Sequence, residues 1–288
     1  MNQKIAYLAN STRKTLQASG FSCPSCGSHQ STTVRRKYIV TVLRRCSVCE
    51  LQFRTPTTSV AENAAFYQEA YTQGFTTDCP TDEDLAGYLR AGFVGSVRDY
   101  SQYIEIVRAA GQTTGARLFE FGCSWGYGSW QFRRAGFDVE AYEISAPRAR
   151  YAKQKLGIRV HDTLDQVKGP FDIFFTSHVL EHVPSVRLAL DFARTILKPG
   201  GLIVAITPNG SVDFRRRAGT DWNKLWGLVH PNFLDERFYH RYFRSQPRII
   251  QSNPYDLRLI SDWAQGRPLS AIPRSLDNEE LLCVVRPR

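Results

Sequence analysis

Residues 117–143 read Arg117-Leu118-Phe119-Glu120-Phe121-Gly122-Cys123-Ser124-Trp125-Gly126-Tyr127-Gly128-Ser129-Trp130-Gln131-Phe132-Arg133-Arg134-Ala135-Gly136-Phe137-Asp138-Val139-Glu140-Ala141-Tyr142-Glu143. Arg117–Phe121 predicts a strand, the glycine-rich turn follows it, and Ser129–Ala135 predicts a helix. Gly136 closes that helix, Val139–Tyr142 predicts a second strand, and Glu143 ends it. Glycines allow a backbone to approach a ligand closely, and an acid at the end of the second strand can accept both hydroxyls of a ribose. The stretch is a βαβ nucleotide-binding unit.

The chain downstream continues the plan. Ile158–Val160 predicts a third strand and Phe171–Thr176 a fourth. A helix over Ser185–Leu197 leads to Lys198-Pro199-Gly200-Gly201 and a fifth strand, Leu202–Thr207. Strands alternating with helices predict a parallel sheet covered on both faces. The apolar run Leu281–Val285 is expected to add an antiparallel edge.

Glu120-x-Gly122-x-Ser124-x-Gly126 resembles the first motif of class I S-adenosylmethionine-dependent methyltransferases, with Ser124 in place of the middle glycine. Phe171-Asp172, His178-Val179-Leu180-Glu181-His182-Val183, Leu197-Lys198-Pro199-Gly200-Gly201 and Pro208-Asn209-Gly210 resemble later motifs of the same superfamily, in the branch of ubiquinone-type and sugar methyltransferases. The NAD-binding pattern fits less well, because its G-x-G-x-x-G loop sits differently. The resemblance implies a Rossmann-like seven-stranded sheet and S-adenosylmethionine as cofactor. It implies that Glu120 and the backbone of Gly122, Cys123, Ser124 and Gly126 hold the methionine end. Glu143 takes the ribose, Ile144 lies beside the adenine, and Asp162 with Thr163 sits near the adenine amino group. Ser177 and His178 face the methyl group and the acceptor. A hydroxyl acceptor needs a base. His178 is the first candidate. His182 is a candidate against a structural role, and His230, in Trp226-Gly227-Leu228-Val229-His230-Pro231, is a third. Trp222 and Trp226 are expected to form a sugar-binding wall beside it.

Four of the seven cysteines form Cys23-x2-Cys26 and, after nineteen residues, Cys46-x2-Cys49. This spacing points two thiolate pairs at one centre and predicts a structural zinc ribbon, with no open position for chemistry. A disulfide pairing is the alternative. The expected organisation is an N-terminal helix or tail over 1–20, the ribbon over 21–54, and a helical connector or lid over 55–115. The methyltransferase domain with a C-terminal flap then covers 116–288. The connector is aromatic (Phe66, Tyr67, Tyr71, Phe75, Tyr88, Phe93, Tyr100, Tyr103), and Ala61–Tyr71 and Asp82–Ala110 predict helices around a loop at Thr76–Thr81.

The 37 basic and 27 acidic residues give a net charge of +10. Residues 1–55 carry nine basic residues against Glu50 alone, 56–210 are near balance, and 211–288 hold thirteen against nine. A basic N-terminal segment suits an anionic acceptor or RNA, or is a solvated surface. Arg215–Arg217, Arg237, Arg241, Arg244 and Arg248 are read as a flap for a phosphate or carboxylate, or again as a solvated face. No apolar run approaches the ~20 residues of a membrane span, and no secretory signal is evident at Met1–Tyr7, so a cytoplasmic protein is expected. The leading expectation is O- or C-methylation of a small molecule or glycan. An RNA methyltransferase comes second and a non-catalytic cofactor-binding scaffold third. Oligomeric state is left open.

Overall fold

The computed structural model describes residues 3–65, 78–268 and 275–287. Helix α1 (Gln3–Leu16) leads into strands β1 (Ser31–Lys37), β2 (Thr41–Cys46) and β3 (Gln52–Thr55). The hairpin turn falls on Tyr38 and Ile39, both at positive φ (52° and 61°). The apolar alternation Tyr38-Ile39-Val40-Thr41-Val42-Leu43 is thus not one strand: its first residues make the turn and β2 begins at Thr41. Helices α2 (Val60–Ala65), α3 (Asp82–Ala91) and α4 (Ser101–Ala109) follow. Phe66, Tyr67, Tyr71 and Phe75 lie outside the described residues. The single helical stretch expected over Asp82–Ala110 is two helices. Gly92 ends α3 at φ 61°, its N–H donating to Leu89 and Tyr88 carbonyls, and Phe93 then turns inward, fully buried, to stack on Tyr88 at 5.3 Å.

The strand-turn-helix unit is β4 (Arg117–Phe121), α5 (Tyr127–Arg134) and β5 (Asp138–Tyr142). Then come α6 (Ala146–Leu156), β6 (Arg159–His161), β7 (Phe171–Ser177), α7 (Val186–Ile196) and β8 (Leu197–Pro208). The chain ends with α8 (Val212–Ala218), β9 (Asn232–Phe233), α9 (Glu236–Tyr242), β10 (Arg248–Ser252), α10 (Leu257–Ala264) and β11 (Glu280–Val285). Helix α7 shows why the layers form. Val186, Ala189, Leu190, Ala193 and Ile196 recur at helical spacing and are all buried, and Ser185 caps its first turn.

The large sheet has the order β10-β11-β8-β7-β4-β5-β6. Its pairs from β8 through β6 are parallel, whereas β11 runs antiparallel to both β8 and β10. This is the Rossmann-like methyltransferase architecture. Leu281–Val285 does join the sheet antiparallel, but one strand in from the edge, which β10 supplies.

The second sheet is β1-β2-β3-β9. Its fourth strand comes from residue 232, so the cysteine-bearing hairpin is completed by the distal part of the chain. Gln52 and Phe53 pair with Phe233 and Asn232. Arg45 reaches buried Asp235 at 2.6 Å, and the Gln52 amide donates to Gly210 O at 2.8 Å. Leu51 and Phe53 share one apolar cluster with Phe119, Phe174 and Leu190. The four cysteine sulfurs gather at one point. Cys23–Cys49 and Cys26–Cys46 are each 3.5 Å apart, close to the ~3.8 Å edge of a tetrahedron built on 2.3 Å metal–sulfur bonds. Among the described residues, no helix is long and apolar enough to cross a membrane.

Candidate functional site

A cavity of about 1390 Å³ opens beyond the carboxyl ends of β4, β5 and β7. That exceeds the ~300–1,000 Å³ usual for a single ligand, so the space suits a cofactor and an acceptor together. Its position is where ligands bind in open parallel sheets.

The glycine loop makes one part of the wall. Gly122, Ser124 and Gly126 all have positive φ (85°, 52° and 91°). A Cβ on Gly122 would collide with Val179, and one on Gly126 would meet Ala152 at 2.8 Å. Of the three positive-φ positions only Ser124 carries a side chain, in a backbone region that favours glycine. The Ser124 hydroxyl is buried without a hydrogen-bond partner and lines the cavity. Glu143 accepts the N–H of Ser124 with one carboxylate oxygen and that of Ser145 with the other, both at 2.8 Å. Burial raises its pKa; those two N–H groups and Arg148 work against the rise. Ile144 and Tyr142 continue this wall.

Glu120, Asp162 and Thr163, three of the expected cofactor contacts, do not line the cavity. Glu120 is fully buried behind the loop, bonded to Ser129, and burial raises it to about 7. A Cβ on Gly128 would strike Tyr100 and Glu120, so this glycine is the close-packing point between helix and strand. Cys123 packs into the apolar core and lends only its backbone to the loop. Asp162 is exposed and turned to Lys153, at 2.8 and 2.9 Å, and neither it nor Thr163 lines the cavity, whereas Leu164 does.

The opposite wall is assembled from distant segments. Tyr7 of α1, Lys37 and Tyr38 of the hairpin turn, and Tyr100 and Tyr103 around α4 all reach it. So do Ser177, His178, Glu181 and His182 after β7, Trp226 and His230 after α8, and Glu280 at the start of β11. His178 sits at φ 53°. Its Nε2 meets Glu280 at 2.8 Å and its Nδ1 lies 3.6 Å from Glu181. Burial alone would depress His178, but the two carboxylates outweigh it and raise the ring to about 10. With 43 % of its side chain accessible, solvent screens part of that pull. The two carboxylates thus favour the imidazolium form of His178, which counts against it as the first candidate base. His182 behaves oppositely: burial lowers it to about 4, leaving it neutral. His182 Nδ1 donates to Val229 O at 2.9 Å and His230 Nδ1 to Leu225 O at 2.6 Å, which places the proton on Nδ1 in both rings.

Glu280 was not singled out by sequence, nor were the groups that hold the wall. Glu280 also accepts the hydroxyls of Tyr103 and Tyr255, at 3.0 and 2.9 Å. Buried Arg54 of β3 donates to Gly227 O at 3.0 Å, and its backbone N–H donates to Pro231 O at 2.8 Å, clamping the loop that carries His230. Asn63 donates to His182 O and Asn232 to Val183 O. Trp222 is buried against Leu43, Phe214 and Phe233, away from the cavity, so of the two expected wall tryptophans only Trp226 touches it. None of the flap arginines lines the cavity: Arg215 lies over Trp222 at 5.4 Å, Arg241 donates to Val48 O and Arg248 to Phe243 O. Tyr88 and Phe93 pack in the core, while Tyr100 and Tyr103 line the space as a lid would.

This fold and loop match a family model described as a methyltransferase domain over residues 97–246, more than half of the chain. The protein belongs to the methyltransferase-domain family. It is 36% identical over 103 residues to a ubiquinone biosynthesis O-methyltransferase of Nitrobacter winogradskyi, covering 33% of this chain and 40% of that one. It is 31% identical over 123 residues to the enzyme of the same name from Cereibacter sphaeroides, covering 39% and 50%. The chain thus spans two-fifths to one-half of the curated relatives it matches. Among solved structures it is similar to the plantazolicin methyltransferase BpumL in complex with SAH (10% identity, TM-score 0.49, 78% of this chain and 94% of that one). It is also similar to a TehB-like SAM-dependent methyltransferase from Corynebacterium glutamicum (18%, TM-score 0.44, 72% and 97%).

Proposed function

We propose that the protein transfers a methyl group from S-adenosylmethionine to a hydroxyl of a small molecule or glycan. The observation that carries this reading is the paired wall: a glycine loop with a buried carboxylate and an orphaned hydroxyl facing a second, histidine-lined wall across one cavity. The residues present fit the cofactor. Glu143 offers carboxylate oxygens at the end of β5 for two ribose hydroxyls, Ser124 Oγ lacks a partner, and Ile144 gives an apolar edge for a base. When bound, S-adenosylmethionine supplies an electrophilic methyl carbon on a sulfonium, so no further activation of the donor is needed.

The protein's own work is to bind, orient and handle one proton. The acceptor oxygen loses a proton as it gains the methyl. His182, held neutral by burial, is the candidate acceptor for that proton, with the His230 ring edge to face beside it, whereas His178, already charged, cannot take it. The His178–Glu280 pair instead fixes the chain after β7. Tyr7, Lys37 and Tyr38 make the acceptor wall, so the cysteine hairpin contributes directly to substrate selection. The four sulfurs hold a structural Zn(II). The relatives' names, ubiquinone biosynthesis O-methyltransferase, support O-methylation of a small molecule.

Calorimetric titration of zinc-replete protein with S-adenosylmethionine and S-adenosylhomocysteine tests the reading. Micromolar binding is expected, weakened at least tenfold in Glu143→Gln, with a thermal melt run beside it because Glu143 also holds two loop N–H groups. Unchanged affinity in a folded Glu143→Gln protein overturns the cofactor assignment.

A further inference from the structure

We propose that Glu181, His182 and His230 form a second metal site, which takes one divalent first-row transition ion, zinc first among them, with open coordination positions toward the cavity. One ligand atom from each of the three lies within 4.8 Å of the others. His182 Nε2 is 3.6 Å from Glu181 Oε1, and the two imidazole rings meet edge to face with centroids 4.6 Å apart. Each imidazole gives its Nδ1–H to a backbone carbonyl, at Val229 and Leu225. This is the outer contact that fixes a ligating histidine's tautomer and leaves Nε2 to the ion.

Glu181 is the independent observation. It is 1% exposed, and neither carboxylate oxygen has a hydrogen-bond partner. A buried carboxylate left this way is strongly disfavoured unless a cation compensates it. His178 compensates in part from 3.6 Å but does not bond, and its own charge is offset by Glu280. A metal at 2.0–2.2 Å from each ligand wants the ligand atoms about 3.4 Å apart. The Glu181–His182 pair is already there. All three ligand atoms lie within 4.8 Å, so no gap need close by more than about 1.4 Å, and His230 stands on a loop between α8 and β9.

Two imidazoles and one carboxylate suit zinc, iron(II) or another first-row transition ion better than magnesium or calcium, which favour all-oxygen shells. Three protein ligands leave a position for a hydroxyl of a bound molecule, in contrast to the closed four-sulfur site. Such an ion lowers the pKa of the oxygen it holds, and would do so in place of His182 as proton acceptor.

The test reads metal content and needs no substrate. Full-length protein is loaded with excess Zn(II), desalted, and assayed by inductively coupled plasma mass spectrometry. Two equivalents are expected for the wild type, and one for Glu181→Gln and for His230→Gln. Cobalt(II) loading separates the two sites: the four-sulfur site gives intense thiolate charge transfer, and the proposed site weak ligand-field bands that both variants lose. If Glu181→Gln fails to fold, His230→Gln alone carries the test, since His230 lies on a loop. A wild type holding a single equivalent, or a second equivalent retained by the folded variants, overturns the site. Neither result bears on S-adenosylmethionine binding, so the methyltransferase reading stands or falls separately.

Discussion

The two walls of the cavity are built by opposite means. The glycine-loop wall comes from 29 consecutive residues, Arg117–Ser145, and Glu143 holds it through two N–H groups of that same stretch. The histidine wall uses side chains from α1, the hairpin turn, the segment after β7, the loop after α8 and the start of β11. Its supports come from still other places, Arg54 and Asn63 among them. A wall of the first kind depends on local conformation, one of the second kind on global assembly, and the two should fail separately.

The largest expected effect breaks the second wall alone. Cys46→Ser, or stripping of zinc, should remove several kcal/mol, since structural zinc contributes ~10–16 kcal/mol to the folding of small finger peptides. A loss of about 4 kcal/mol corresponds to a Tm drop of roughly 10 °C in a chain of this size. S-adenosylhomocysteine affinity at a temperature where the protein stays folded should change less than threefold. Parallel loss of both would show that the walls are one unit.

A smaller effect tests the buried acid behind the first wall. Glu120 is raised from 4.5 to about 7, by burial foremost and also by Glu143. The folded state then holds this proton more tightly than the unfolded chain. Its contribution is fully present below pH 4.5 and is lost as pH rises through about 7, a difference of about 3 kcal/mol. Urea unfolding of the cofactor-free protein from pH 5 to 8 should show Glu120→Gln gaining on the wild type by that amount as pH rises. A gap that does not change with pH would reject the shift.

Next is the loop residue. Ser124 at φ 52° pays a backbone cost that glycine does not, so Ser124→Gly should stabilise the empty protein by about 1 kcal/mol in the same assay. The lost hydroxyl should weaken cofactor binding by a few-fold. The smallest effect belongs to Asp162→Asn. Its exposed ion pair with Lys153 is worth under 1 kcal/mol, and cofactor affinity should move less than twofold. A tenfold loss would bring Asp162 back to the adenine.

The same contrast explains what could be read in the chain. Gly122, Gly126 and Glu143 are legible because their spacing is their geometry: strand, turn, helix and strand follow each other without interruption. The sheet and the four-cysteine cluster are legible for that reason too. Asp162 turns to Lys153 rather than into the cavity, an aim that a turn after a three-residue strand does not announce. His178 was legible as a residue at the site but not as a cation, since Glu280, its partner at 2.8 Å, is 102 positions away. Trp222 reads as a binding surface from sequence because an aromatic in a flap gives no sign that Leu43 will cover it. Glu280, Lys37 and Tyr38 sit on the site only through long-range packing, which no local pattern announces.

Strand β9 adds a constraint of timing. The hairpin sheet is finished only by Asn232 and Phe233, nearly 180 residues after β3. At ~5–20 residues per second a ribosome needs about 10–40 s to deliver them. Through that interval β3 carries an open hydrogen-bonding edge, the kind that pairs with other chains, and Phe53 lacks its cover. Nascent chains of this protein thus pass through a period in which all four cysteines are made but the sheet beside them is not finished, and a chaperone that shields edges acts best in that window.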